Sequence, residues 1–176
     1  NDCGDNSCDA GAADNPTAQP SGAQATQTQN PINLISGNKY KSQVDLKALP
    51  GVLGLRFVRH YNSRLPGNFG MGSGWRHTYS VGMRVPDGFK PGEAESIAVQ
   101  QSDGRIVHFS RLGERKVGAQ YATRNHGDGF ISTRDYGYQW RWRNGRVLSF
   151  DERGLLTQIE QGQNRLTLSY NSSDHL

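Results

Sequence analysis

The stretch Asn30–Arg76, NPINLISGNKYKSQVDLKALPGVLGLRFVRHYNSRLPGNFGMGSGWR, decides the fold. Turn formers alternate in it with short aromatic or β-branched runs. Asn30-Pro31 and Ser36-Gly37-Asn38 precede Lys39–Leu46, where Tyr40, Ser42, Val44 and Leu46 alternate with Lys39, Lys41, Gln43 and Asp45. A period of two sets an apolar-leaning face against a polar one and predicts a strand. Leu49-Pro50-Gly51 ends it, because Pro50 lacks a backbone donor and Gly51 admits positive φ. A second strand is expected over Val52–Tyr61, with Leu53, Leu55, Phe57 and Arg59 on one side. After Leu65-Pro66-Gly67 and Gly72-Ser73-Gly74, a third run over Trp75–Val85 offers Trp75, His77, Tyr79, Val81 and Met83 on one face.

Working outward, the same grammar continues to the C-terminus. Residues 86–95 (PDGFKPGEAE) read as a polar loop. Asp103-Gly104 separates Ser96–Gln101 from Arg105–Arg111, and Asn144-Gly145 separates Tyr138–Arg143 from Arg146–Phe150. Both dipeptides suit a two-residue type I′ hairpin turn. From Asn144 onward turn formers return at intervals of roughly nine to ten residues, the mark of stacked β-repeats. Glu152–Ile159 and Arg165–Asn171 are the strands of this segment, with a turn at Gln161–Asn164. Helical periodicity is absent, so the fold class is all-β, built from antiparallel hairpins.

Towards the N-terminus the composition changes sharply. Residues 1–30 contain no Lys, Arg, Leu, Ile, Val, Met or aromatic side chain, so they lack the apolar surface that offsets ordering entropy and are expected to be a disordered, flexible leader. All 20 basic residues but only twelve of the 16 acids lie beyond Asn30, giving 31–176 a formal charge of +8 against +4 for the whole chain. With 22 Gly and an apolar fraction of 34%, a turn-rich β-structure is favoured over a compact two-layer core. No apolar run is long enough for a membrane helix. Cys3 and Cys8 are separated by four residues, which can close a small disulfide loop or leave two thiols. A metal site would need further ligands, and the nearest histidine is His60.

Candidate chemistry is sparse. His60, His77 and His108 lie in strand patterns without metal-ligand spacing, and read as packed or hydrogen-bonded sheet histidines. His126 and Asp128 share a Gly-rich loop that is a turn before it is a cation site. Ser73 lacks the strand–elbow–helix setting of a nucleophile. Trp140-Arg141-Trp142-Arg143 interleaves aromatic and basic residues, yet a strand puts the tryptophans on one face and the arginines on the other. That geometry makes a packing face backed by a solvated charged face, so nucleic-acid binding is not expected. No catalytic residue, metal or cofactor is assigned.

The ordered series NPxNxxSGN, LPG, YNSR and GxGW, followed by Arg165–Asn171 (RLTLSYN), resembles the N-terminal domain of Rhs/YD-repeat polymorphic toxin proteins. Asn171 stands where that family usually has Asp. The resemblance implies a leader (1–30), an N-terminal β domain (31–143) and the start of YD-type repeats (144–176) in a spiral β-sheet. It further implies a non-catalytic structural domain that starts or caps a β-shell enclosing a C-terminal toxin for secretion and interbacterial delivery. The partners would be the remainder of the same polypeptide and secretion machinery, and the setting secreted or cell-surface, as an exported bacterial protein. A chain ending at Asp174-His175-Leu176, inside a repeat, is expected to be a piece of a longer one. Tyr61, Trp75, Tyr79, Trp140 and Trp142 would pack the sheet, and Gly37, Gly51, Gly74, Gly145 and Gly154 would supply its turns. An alternative is an extracellular module that binds a glycan or cell-surface partner through Trp140 and Trp142.

Overall fold

In a computed structural model of the chain the described residues are 32, 37–51, 53–65, 67 and 70–171. The expected leader, Cys3 and Cys8 lie outside them. The protein is all-β, with antiparallel pairing throughout. Among the described residues twelve strands follow in chain order: β1 Tyr40–Leu46, β2 Phe57–Asn62, β3 Trp75–His77, β4 Gly82–Arg84, β5 Ser96–Gln100, β6 Ile106–Leu112, β7 Gln120–Ala122, β8 Phe130–Arg134, β9 Gly137–Arg141, β10 Arg146–Phe150, β11 Leu156–Gln161 and β12 Asn164–Thr167. Among the described residues the only helical element is a single 3-10 turn, His126–Asp128.

Strands β1–β3 form a three-stranded sheet, and β4–β12 form a nine-stranded sheet in which every strand pairs with its sequence neighbour. The chain divides into two units. One takes the chain up to Lys47 together with Arg56–Ser80 and Gln101–Arg105; the other takes Ala48–Leu55, Val81–Gln100 and Ile106–Leu176. The boundary expected between 143 and 144 falls inside one continuous sheet, since β9 and β10 pair from Val147↔Arg141 to Phe150↔Tyr138.

In the first unit the buried face of β2 is Val58, His60 and Asn62, not the side carrying Phe57 and Arg59. Polar residues can occupy that face because they are bonded there. Tyr40 Oη and His60 Nδ1 lie 2.8 Å apart, and Asn62 Oδ1 accepts from Arg64 N at 3.1 Å. The strand also starts later than expected, at Phe57; Leu49 and Leu55, which belong to the second unit, are joined instead by Leu49 N donating to Leu55 O at 3.1 Å. β1 alternates in sequence but is exposed on both faces after Tyr40, with Val44 56% exposed. The run expected over Trp75–Val85 is two short strands in different sheets. A turn breaks it where Ser80 N donates to His77 O at 2.8 Å while Ser80 Oγ accepts from His77 N at 3.0 Å. Local hydroxyl bonding competes with the ladder there, without a Gly or Pro to announce it.

In the second unit alternation sorts the nine-stranded sheet into two faces. Tyr121, Ile131, Trp140, Leu148, Ile159 and Leu166 stand opposite one another across β7–β12, and the first five are at most 5% exposed. Phe109, fully buried, meets the edge of Trp140 at 5.6 Å between ring centroids. The sheet curls as a half-barrel. Its first strand reaches the β10–β11 turn, where Met83 N donates to Gly154 O at 2.8 Å and Gly82 bridges Leu155.

The hairpins at Asp103-Gly104 and Asn144-Gly145 are present, but their loops hold three residues, not two. Gly145 N donates to Trp142 O at 3.1 Å and Trp142 N to Arg146 O at 3.0 Å, so Arg143 and Asn144 are the central pair and Gly145 follows at φ +82°. This is a type I turn closed by a glycine bulge. Asp103 and Asn144 each accept, through Oδ1, the backbone N–H two residues on, at 2.9 and 3.0 Å. Their short side chains stabilise the turn in this way.

Candidate functional site

The aromatic residues singled out in the sequence fall into two clusters, one in each unit. In the first, Tyr61 and Trp75 face each other across β2 and β3 with ring centroids 5.3 Å apart, and both are half-buried. Phe57 stacks on His77 at 5.2 Å, and Tyr79, 8% exposed, closes on both rings. Arg59 lies over the Trp75 ring at 5.2 Å and donates to Asp45 through Nε at 2.5 Å and Nη2 at 2.7 Å. The guanidinium hydrogen bond holds the Asp45 carboxyl below the usual carboxylate range. The partnership was not evident in the sequence. Asp45 and Arg59 sit on adjacent strands whose register shifts at Val44/Leu46, and a bulge re-aims a side chain in a way that alternation alone does not reveal.

In the second unit Trp140 is 1% exposed and its indole N–H donates to the Asp128 carbonyl at 2.6 Å. Trp142 is half-buried and lies against it, centroids 3.9 Å apart. Of the pair named in the alternative glycan reading, Trp140 is therefore buried and Trp142 alone is partly exposed. Tyr121 donates to the Ala94 carbonyl at 2.8 Å. Burial pushes the Tyr138 hydroxyl up to about 12, with the nearby Tyr121 adding to the shift.

The glycines take several roles. Gly37, Gly51 and Gly145 have positive φ in open space. Gly74, at φ +78°, packs beneath the Tyr61 ring. Gly154, at φ +85°, faces the Met83 carbonyl so closely that a Cβ would sit inside van der Waals contact. Its role at the sheet's seam exceeds that of a turn former.

Among the described residues the histidine side chains do not converge. His60 meets Tyr40, His77 lies in the Phe57–Tyr79 cluster, and His108 is exposed. Burial lowers the His77 pKa, and its Nδ1 accepts from Tyr79 N at 3.3 Å, as a neutral imidazole does. The side chain of His126 lies outside those described. Among the described residues no three His, Cys, Asp or Glu side chains gather as metal ligands. A depression of about 260 Å³ is lined by Arg84, Val85, Pro86, Ser96, Ile97, Ala98 and His108, with one histidine and no carboxylate. Among the described residues no helix is long and apolar enough to cross a membrane.

Residues 29–109 match a sequence family described as a domain of unknown function (DUF6531). The match takes in the whole motif series from Asn30 to Arg76 and runs into β6. No curated protein matches the chain.

Proposed function

We propose that this chain is the non-catalytic N-terminal domain of an Rhs/YD-repeat protein, a segment of β-wall that starts a shell around a C-terminal toxin. The observation that carries the reading is the strand order of the larger sheet. Among the described residues nine strands are laid down strictly in sequence, each hydrogen-bonded to the next, and β12 stands at an edge with pairing on one side. A meander of this kind can be extended by one hairpin after another without rearranging what precedes it. Such an edge is a template for the next strand of the same polypeptide.

Supporting features are the motif series and the β-repeat spacing after Asn144. Two aromatic side chains of the larger sheet, Trp140 and Tyr121, are buried with their polar atoms bonded to backbone carbonyls. The wall acts physically, by separating what it encloses from the solvent that carries proteases and targets. On this reading the protein is exported, its partner is the rest of its own polypeptide, and the secretion machinery recognises the assembled particle.

The test is protection. In the longer polypeptide, the C-terminal segment should resist proteinase K at levels that cut the same segment made alone. Equal cleavage of the two would overturn the proposal.

A further inference from the structure

The sheet face opposite the apolar row carries an ordered polar stripe. Gln120, Ser132, Gln139, Ser149, Gln158 and Thr167 stand opposite one another across β7–β12. Neutral amides and hydroxyls thus form a row roughly 24 Å long, one group per strand spacing. At its centre the charge is unbalanced. Gln139 Oε1 accepts from both Arg134 Nε, at 3.1 Å, and Arg141 Nη2, at 2.7 Å, while Gln139 Nε2 donates to Ser149 Oγ at 3.4 Å.

Among the described residues neither guanidinium forms an ion pair with a carboxylate, whereas Arg59, Arg153 and Arg165 each do. Two like charges are therefore drawn together by a single neutral dipole, an arrangement that an oxyanion between them would relieve. Each guanidinium has five N–H donors, so a shared amide oxygen leaves donors for a ligand. Phe130, 43% exposed, is the register partner of Arg141 and puts an apolar ring beside the pair.

We propose that this face binds an acidic polysaccharide, with a sugar carboxylate or sulfate in the fork of Arg134 and Arg141. The apolar side of the sugar ring lies against Phe130, and its hydroxyls meet Ser132, Ser149 and Gln158. The stripe decides between polymers. A nucleic acid needs a row of cations to match its row of phosphates, and here one cationic focus is followed by neutral hydrogen-bonding groups. A glycan with acidic groups among hydroxyls fits that sequence of partners. The inference concerns the polar face of the sheet and stands independently of the shell reading.

The test is affinity electrophoresis of the whole chain at low ionic strength through gels containing polygalacturonate, dextran sulfate or neutral dextran. Retardation is expected with one or both acidic polymers and not with dextran. Response to polygalacturonate alone would assign the anion as carboxylate, and to dextran sulfate alone as sulfate. The double variant Arg134→Gln, Arg141→Gln should weaken retardation by roughly tenfold or more, as expected for lost charge-assisted bonds. Gln139→Glu supplies an internal carboxylate to both guanidiniums, so it should abolish retardation while keeping or raising the thermal midpoint. The proposal is overturned if neither acidic polymer retards the chain, or if the variants are retarded like the parent. Stronger retardation by single-stranded DNA than by either polysaccharide would also overturn it.

Discussion

His77 and Tyr138 show how burial by this sheet structure converts single side chains into pH-dependent stability. His77 is 7% exposed and stacked on Phe57, and desolvation holds its pKa below that of a solvated imidazole. The unfolded chain then binds a proton that the folded one resists, so stability is retained above the unfolded pKa and lost as pH falls through it. The thermal midpoint should drop between pH 7.5 and 5, and His77→Gln should flatten that acid limb; an unchanged limb would exclude His77 as its source. For Tyr138 the sign is reversed: its pKa is raised from 10.0 to about 12, so stability is lost as pH rises past the unfolded value. Its hydroxyl is buried and finds no partner among the described protein atoms. Tyr138→Phe removes that unsatisfied group at nearly constant shape and should raise stability by about 1 kcal/mol, measured by urea denaturation. A loss of similar size would mean that the hydroxyl is bonded in solution.

Hairpins are the element on which the sequence speaks most clearly, and two of their glycines separate two costs. Gly145 and Gly154 both end three-residue loops, at φ +82° and +85°. Gly145 faces open space, whereas Gly154 faces the Met83 carbonyl. Gly145→Ala should therefore cost about 1–2 kcal/mol, the left-handed term alone, and Gly154→Ala distinctly more. Equal urea midpoints for the two variants would show that the seam at Met83 does not restrain the sheet. The strands flanking Asp103-Gly104 and Asn144-Gly145 were legible to within a residue or two because alternation and turn chemistry agree there. The break after His77 was not, since Ser80 makes the turn with its hydroxyl. Nor was the buried face of β2, where His60 and Asn62 go inside on the strength of their hydrogen bonds while the more apolar-looking side stays half-open. In the candidate sites, Trp140 and Trp142 were correctly placed on one face. Arg134 meeting Arg141 at Gln139 depends on cross-strand register, which no single stretch of sequence encodes.

At the scale of the molecule, the larger sheet combines an apolar row and a polar row on alternate residues of the same six strands. One row is packed and the other lies on the opposite face, so the same hairpin grammar can be repeated without a separate core for each addition. Its edge at β12, Asn164–Thr167, is where the proposed wall continues. The most direct measurement is therefore hydrogen exchange at β12, compared between this chain alone and the longer polypeptide that the shell reading requires. The outward-facing amides of Asn164–Thr167 should exchange rapidly in the chain alone and be strongly protected in the longer polypeptide, where a following strand pairs with them. Equally rapid exchange in both would contradict the account, because the sheet would then end at β12 and enclose nothing.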